Sequence, residues 1–164
     1  MVLNQSRRLS FAIFVGAFLW CAGFLAPPLL GDSAPGASKG LQAFYEKICH
    51  QIEDRSLHLN GVPFAVCGRC SSIYSGFLLG AAFLLLPGCA SASGDFRALA
   101  ILALFPMLLD VAGGLTGYAP PSMLSRLFTG GWFGFLSSFF LVPIAIGALE
   151  ELTSRNIRSV ADAR

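Results

Sequence analysis

The chain has 164 residues, of which 55% are hydrophobic and 12% charged, and its mean hydropathy is +0.69. A soluble domain carries about 25% charged residues, so this composition excludes a water-facing globule and points to the lipid bilayer as the surroundings. A net charge of +2 gives no footing for a nucleic-acid partner.

Four apolar stretches each approach the ~20 residues that a helix needs to cross about 30 Å of hydrocarbon. They run over 9–30, 71–86, 98–115 and 127–149. Lipid offers the backbone no hydrogen-bond partners, so stretches this long and apolar are expected to be α-helices. Strands would need alternation, and none appears in these stretches. The expectation is an all-α fold, a four-helix transmembrane bundle forming one polytopic domain over 1–164.

The first stretch follows Arg7 and Arg8 and has to be weighed as a cleavable signal. No small-residue cleavage site is evident, Pro27-Pro28 closes the run, and Trp20 stands where a lipoprotein acceptor would need a small residue before Cys21. It reads as a retained helix. The loop 31–70 follows, opening on a Gly/Pro/Ser/Ala spacer from Gly31 to Gly40. Ser38 is placed to cap a short amphipathic helix whose stripe is Leu41, Phe44, Tyr45, Ile48 and Ile52. Such a helix belongs along the membrane interface.

The loop ends in the chain's chemistry-bearing residues: Cys49-His50, then Cys67-Gly68-Arg69-Cys70 directly before the second stretch. Cys21 and Cys89 lie in apolar stretches and are expected to be buried small hydrophobes. Gly76-x-x-x-Gly80 and Gly130-x-x-x-Gly134 place small residues one turn apart, a signal for close helix packing. Asp110 inside the third stretch needs a partner in lipid, and Arg126 at the start of the fourth is the expected one. Pro106 and Pro143 are candidate kinks. The tail from Glu150 to Arg164 is polar.

Four crossings put both termini on one side and the loop 31–70 on the other. Arg7, Arg8, Arg97, Arg155, Arg158 and Arg164 fall on the terminal side. Lys39, Lys47, Arg55, Arg69 and Arg126 fall opposite, four of them in the long loop with Asp32, Glu46, Glu53 and Asp54. Short, dense Arg clusters mark the cytoplasmic side. The expected location is the bacterial cytoplasmic (inner) membrane, multi-pass, with cytoplasmic termini and the loop facing the periplasm or exterior.

Three chemistries suit the cluster. Zinc takes four tetrahedral thiolate or imidazole ligands, and Cys49, Cys67 and Cys70 with His50 or His58 make a Cys₃His set. At 100° per residue a continuing helix would send Cys49 and His50 apart, so either the helix ends near Cys49 or His58 is the fourth ligand. Thiol–disulfide exchange is the second, because Arg69 lies between Cys67 and Cys70 and a neighbouring cation favours the thiolate. In that case Cys67, Cys70 and Arg69 are catalytic, quinone is the electron acceptor, and the layout is similar to the four-helix disulfide-oxidising proteins and vitamin K epoxide reductases. A permanent disulfide is the bland alternative. A small-solute or ion carrier using Asp110 and Arg126 is a further one, against an Asp–Arg pair that only pins two helices.

The string Cys49-His50-Gln51, Arg55-Ser56, Cys67-x-Arg69-Cys70 with Ile73-Tyr74-x-Gly76, then Asp110 and Arg126-x-x-Thr129-Gly130, resembles a family of small bacterial and archaeal membrane proteins. It is catalogued as domain of unknown function 2085. The resemblance covers most of the chain from Tyr45 to Gly134, and it brings no activity with it. It implies that His50, rather than His58, joins the Cys set, and that Asp110 and Arg126 belong to the same constellation. Ser71-Ser72 stand where the family usually has Thr-Gly. The reading is a small integral membrane protein with an extracytoplasmic zinc site of Cys49, His50, Cys67 and Cys70, structural in role or serving as an accessory subunit beside other membrane-protein subunits.

Overall fold

In the computed structural model the described residues are 2–59, 61–86, 95–118 and 120–162. They form mostly helix: α1 (Val2–Leu30), α2 (Pro35–Glu46), α3 (Gly68–Leu84), α4 (Phe96–Thr116) and α5 (Met123–Asp162). A two-stranded antiparallel hairpin, β1 (Ser56–Leu59) and β2 (Val62–Cys67), separates α2 from α3. Its register pairs Ser56 with Cys67 and Leu59 with Val62, with a bulge between Ser56 and His58.

The hairpin corrects the all-α expectation. Its strands are too short and too mixed to alternate, yet Asn60-Gly61 lies between them, the dipeptide that suits a two-residue hairpin turn. Gly61 adopts φ +78°, a conformation open to glycine at little cost.

Among the described residues three helices are long and apolar enough to cross a membrane: Gln5–Leu30 within α1, Phe96–Thr116, and Met123–Arg155 within α5. The second expected stretch is α3, which starts at Gly68 rather than residue 71, ends at Leu84, and has 17 residues. The fourth expected stretch, 127–149, is the middle of α5, a helix of 40 residues. At 1.5 Å per residue that helix is about 60 Å long, so it runs well beyond one hydrocarbon layer.

α3 lies at the centre. α5 packs along one of its sides and α1 against another, while α4 packs on α5. The α3–α5 seam depends on missing side chains. A methyl group at Gly134 would lie 2.8 Å from the Ile73 carbonyl carbon, and one at Gly80 would lie 2.7 Å from the Phe135 carbonyl oxygen. At Gly76 it would lie 3.0 Å from the Gly131 Cα. Both glycine pairs therefore serve close helix approach, as their spacing predicts. α4 leaves Ile101, Phe105, Leu108 and Leu109 more than half exposed, the apolar surface that lipid would cover.

The loop between α1 and the hairpin differs from a plain spacer. α2 begins at Pro35, with Ala34 as its cap, inside the stretch expected to be irregular. Pro at the first helical position is preorganised for that role. Ser38 is not the cap; it is buried within the helix, and its hydroxyl donates to the Pro27 carbonyl at 3.4 Å. Of the expected apolar stripe, Tyr45 is 2% exposed, whereas Phe44, Ile48 and Ile52 stay exposed. Tyr45 packs against α1 where Gly23 makes room, and its hydroxyl donates to the Trp20 carbonyl at 2.7 Å.

At one end of the molecule the Ser6 hydroxyl donates to Glu150 at 2.8 Å, so the start of α1 meets the later part of α5. At the other end the start of α3, the end of α4 and the start of α5 meet the hairpin around one cavity. The core beneath that end holds Cys21, Phe24, Tyr45, Cys49, Ala65 and Val66, with Trp20 and Tyr74 packed against it.

Candidate metal centre

α2 stops at Glu46, and the N–H of Cys49 still reaches back to the Tyr45 carbonyl at 2.9 Å. That last hydrogen bond turns Cys49 inward, where it is 5% exposed, and leaves the following His50 on the outside. Gln51 then takes φ +46°, a costly conformation for a residue with a side chain. Its amide offsets the cost by donating to the Gln42 carbonyl at 2.7 Å and the Ala65 carbonyl at 2.8 Å. The Cys49 loop is thus tied to α2 and β2 at once.

β2 delivers Cys67 in extended conformation, and α3 starts at the next residue. Gly68, at the start of α3, is buried, and a side chain there would strike Met123 and approach the Arg55 carbonyl to 3.3 Å. Cys70 follows in the first turn of α3. The sulfurs of Cys49, Cys67 and Cys70 all lie within 4.8 Å of one another, and the Cys67 N–H donates to the Cys49 sulfur at 3.3 Å. The neighbouring Cys70 side chain, with the backbone N–H groups of Cys70 and Arg69 and the Cys49 side chain, holds the Cys67 thiol below its ordinary pKa despite partial burial. These are surroundings built for a thiolate.

A tetrahedral zinc ion with bonds of about 2.3 Å places its sulfurs about 3.8 Å apart. The three sulfurs, all within 4.8 Å of one another, are close to that spacing. Among the described residues no histidine joins them: His50 is exposed and lines the adjoining cavity, and His58 sits on β1, also exposed. The set brought together is therefore Cys₃, and the expected His50 ligand is not brought in. Cys21 is buried in α1, as expected, in the core under the site but outside the three-thiol group, while Cys89 lies outside the described residues.

The cavity beside the sulfurs has a volume of about 540 Å³ and is lined by Arg55, Arg69 and Arg126 as well as by His50 and Gln51. Asp110 pairs with Arg69 and not with Arg126, which corrects the expected partner. Arg69, in the first turn of α3, reaches across to that carboxylate on α4. The Asp110 side chain is 8% exposed and that of Arg69 23%. Arg126 keeps a buried Nε without an acceptor among the described residues.

Ser71 and Ser72 also have defined roles. Ser71 donates to the Gly68 carbonyl at 2.9 Å. Ser72 donates to the Arg69 carbonyl at 2.9 Å and to the Arg126 carbonyl at 3.2 Å, in the space that Gly130 leaves open. It joins α3 to α5 beside the site. Sequence reasoning missed Gln51, Gly68 and Ser72 as supports; the position of Gln51 directly after Cys49-His50 was the available signal.

The family described as predicted membrane protein DUF2085 matches residues 49–153. A relative from Methanocaldococcus jannaschii, an uncharacterised protein, is 34% identical over 145 residues, covering 83% of this chain and 88% of its own length. No solved structure matches.

Proposed function

The chain belongs to the DUF2085 family of predicted membrane proteins, and we propose that it holds a zinc ion on Cys49, Cys67 and Cys70, with the fourth position turned to the arginine-lined cavity. The observation that carries this reading is the convergence of three thiols from separate segments within 4.8 Å. A zinc site with three protein ligands keeps one position for water or an added group, whereas purely structural sites are closed by four. The ion would fasten the α2–hairpin cap to the start of α3 and present that open position to a ligand. This is the part of an accessory, ligand-holding membrane protein.

In the same reading the chain crosses the bilayer four times. α3 reaches the lower limit of about 17 residues for a spanning helix, and the contact between Ser6 and Glu150 supports placing both ends of the bundle on one side. Arg7 and Arg8 near the start of α1 favour the cytoplasm for that side. The metal site then faces outward from the cytoplasmic membrane.

A second reading has its own support in the closeness of the Cys67 and Cys70 sulfurs, within 4.8 Å, at the start of α3. Oxidation of Cys67 and Cys70 to a disulfide would release two electrons and two protons, which a quinone accepts as it becomes quinol.

Metal analysis of the detergent-purified chain, with a thiol count under denaturing conditions, separates the two. The metal reading expects one zinc per chain, lost in Cys49→Ser, Cys67→Ser and Cys70→Ser and kept in His50→Ala. A metal-free chain with a Cys67–Cys70 disulfide that quinol reduces would overturn it.

A further inference from the structure

We propose that the arginine-lined cavity binds a phosphoryl group, held between Arg126 and Arg55 beside the open side of the cysteine cluster. The inference rests on the reading of that cavity as the mouth of the metal site and names the ligand class that enters it. Three guanidinium groups line the cavity, and the described residues set one carboxylate, Asp110, against them through Arg69. Among the described residues neither Arg55 nor Arg126 has an ion-pair partner, and the two of them also line a neighbouring cavity of about 240 Å³ with Pro121 and Met123. They face shared space from opposite elements, the turn before β1 and the first turns of α5.

The Nε of Arg126 is buried and has no acceptor among the described residues. A buried donor left unmet is costly, and most such groups in folded proteins have a partner. A guanidinium presents its N–H groups as a planar fork that matches the oxygens of a phosphoryl group, often two at a time. A tetrahedral phosphoryl group has oxygens for both arginines at once. The lining also includes the apolar Ile52, Val111 and Leu115, so the rest of the ligand can be hydrocarbon. A phosphoryl group reaches this cavity from two sources, free phosphate or a phospholipid headgroup.

The test uses the full chain purified in a maltoside detergent, which contributes no phosphorus. Inorganic phosphate is measured by equilibrium dialysis, and phosphatidylglycerol added to mixed micelles is counted by native mass spectrometry. Saturable binding of inorganic phosphate assigns the free anion; binding of phosphatidylglycerol alone assigns the headgroup. Either outcome supports the proposal if Arg126→Gln and Arg55→Gln each weaken it by roughly tenfold or more, the scale of a lost charge-assisted hydrogen bond. Arg55 is exposed, so Arg55→Gln tests the site even if Arg126→Gln fails to fold. Failure of both probes to bind, or binding that neither substitution weakens, overturns the proposal. Zinc is measured on the same samples: binding by a zinc-free chain would remove the metal reading and keep this one, and a zinc-loaded chain that binds neither probe would do the reverse.

Discussion

Replacing Gly134 by alanine should pry α5 away from α3. The added methyl group would stand 2.8 Å from the Ile73 carbonyl carbon and 2.9 Å from the Phe77 nitrogen, and nearer still to the Ile73 oxygen. Ordinary contact begins at 3.4 Å, so the helices must part by at least the difference from 2.8 Å, which is 0.6 Å. All three obstructing atoms are backbone, and no side chain can rotate away. A gap of about 0.5–1 Å forfeits a quarter to a half of each contact's attraction along the seam, and overpacking of this kind costs roughly 1–3 kcal/mol. The upper end, about 3 kcal/mol, is expected here because the obstruction is backbone. Gly147→Ala, on the same helix but with nothing within 4 Å of the added methyl, is the control and should be neutral or slightly stabilising. Unfolding both variants in mixed micelles with increasing SDS reads the difference. Equal stability of Gly134→Ala and Gly147→Ala would refute the close-packed seam.

Asp110→Asn leaves the Arg69 guanidinium without its charge partner. Removing one member of a buried pair costs about 3–5 kcal/mol, and the 23% exposure of the Arg69 side chain reduces the expectation to about 2 kcal/mol. The double variant Arg69→Met/Asp110→Leu should recover most of that in the same unfolding assay. Gln51→Ala removes two hydrogen bonds and the clamp on the Cys49 loop. Its expected effects are about 2 kcal/mol of stability and a loss of zinc affinity of roughly 10–100-fold, read by competition with a chromogenic chelator.

The helices were legible in the sequence because lipid imposes one backbone solution on a long apolar run, and α1, α4 and α5 contain the expected stretches. The glycine pairs were equally legible, since their spacing sets the face they share. The hairpin escaped because four residues such as Ser-Leu-His-Leu carry no periodicity, although Asn60-Gly61 marked its turn. The Cys-x-x-Cys pair with Cys49 was readable as a thiol site, but the side on which His50 falls depends on where α2 stops. Two hydrogen bonds of Gln51 and the turn at Cys49 decide that, and neither is visible from spacing. The partner of Asp110 was ambiguous for a similar reason: Arg69 and Arg126 both lie in the first turns of helices at the same end, and spacing does not say which of them reaches the carboxylate.

The proposed metal site has three thiolates and one open position. X-ray absorption at the zinc edge of the purified, zinc-loaded chain tests it most directly. Three sulfur neighbours at about 2.3 Å and one nitrogen or oxygen neighbour at about 2.0 Å are expected. A spectrum with no sulfur neighbours, or a chain that takes up no zinc with all three thiols reduced, would contradict it.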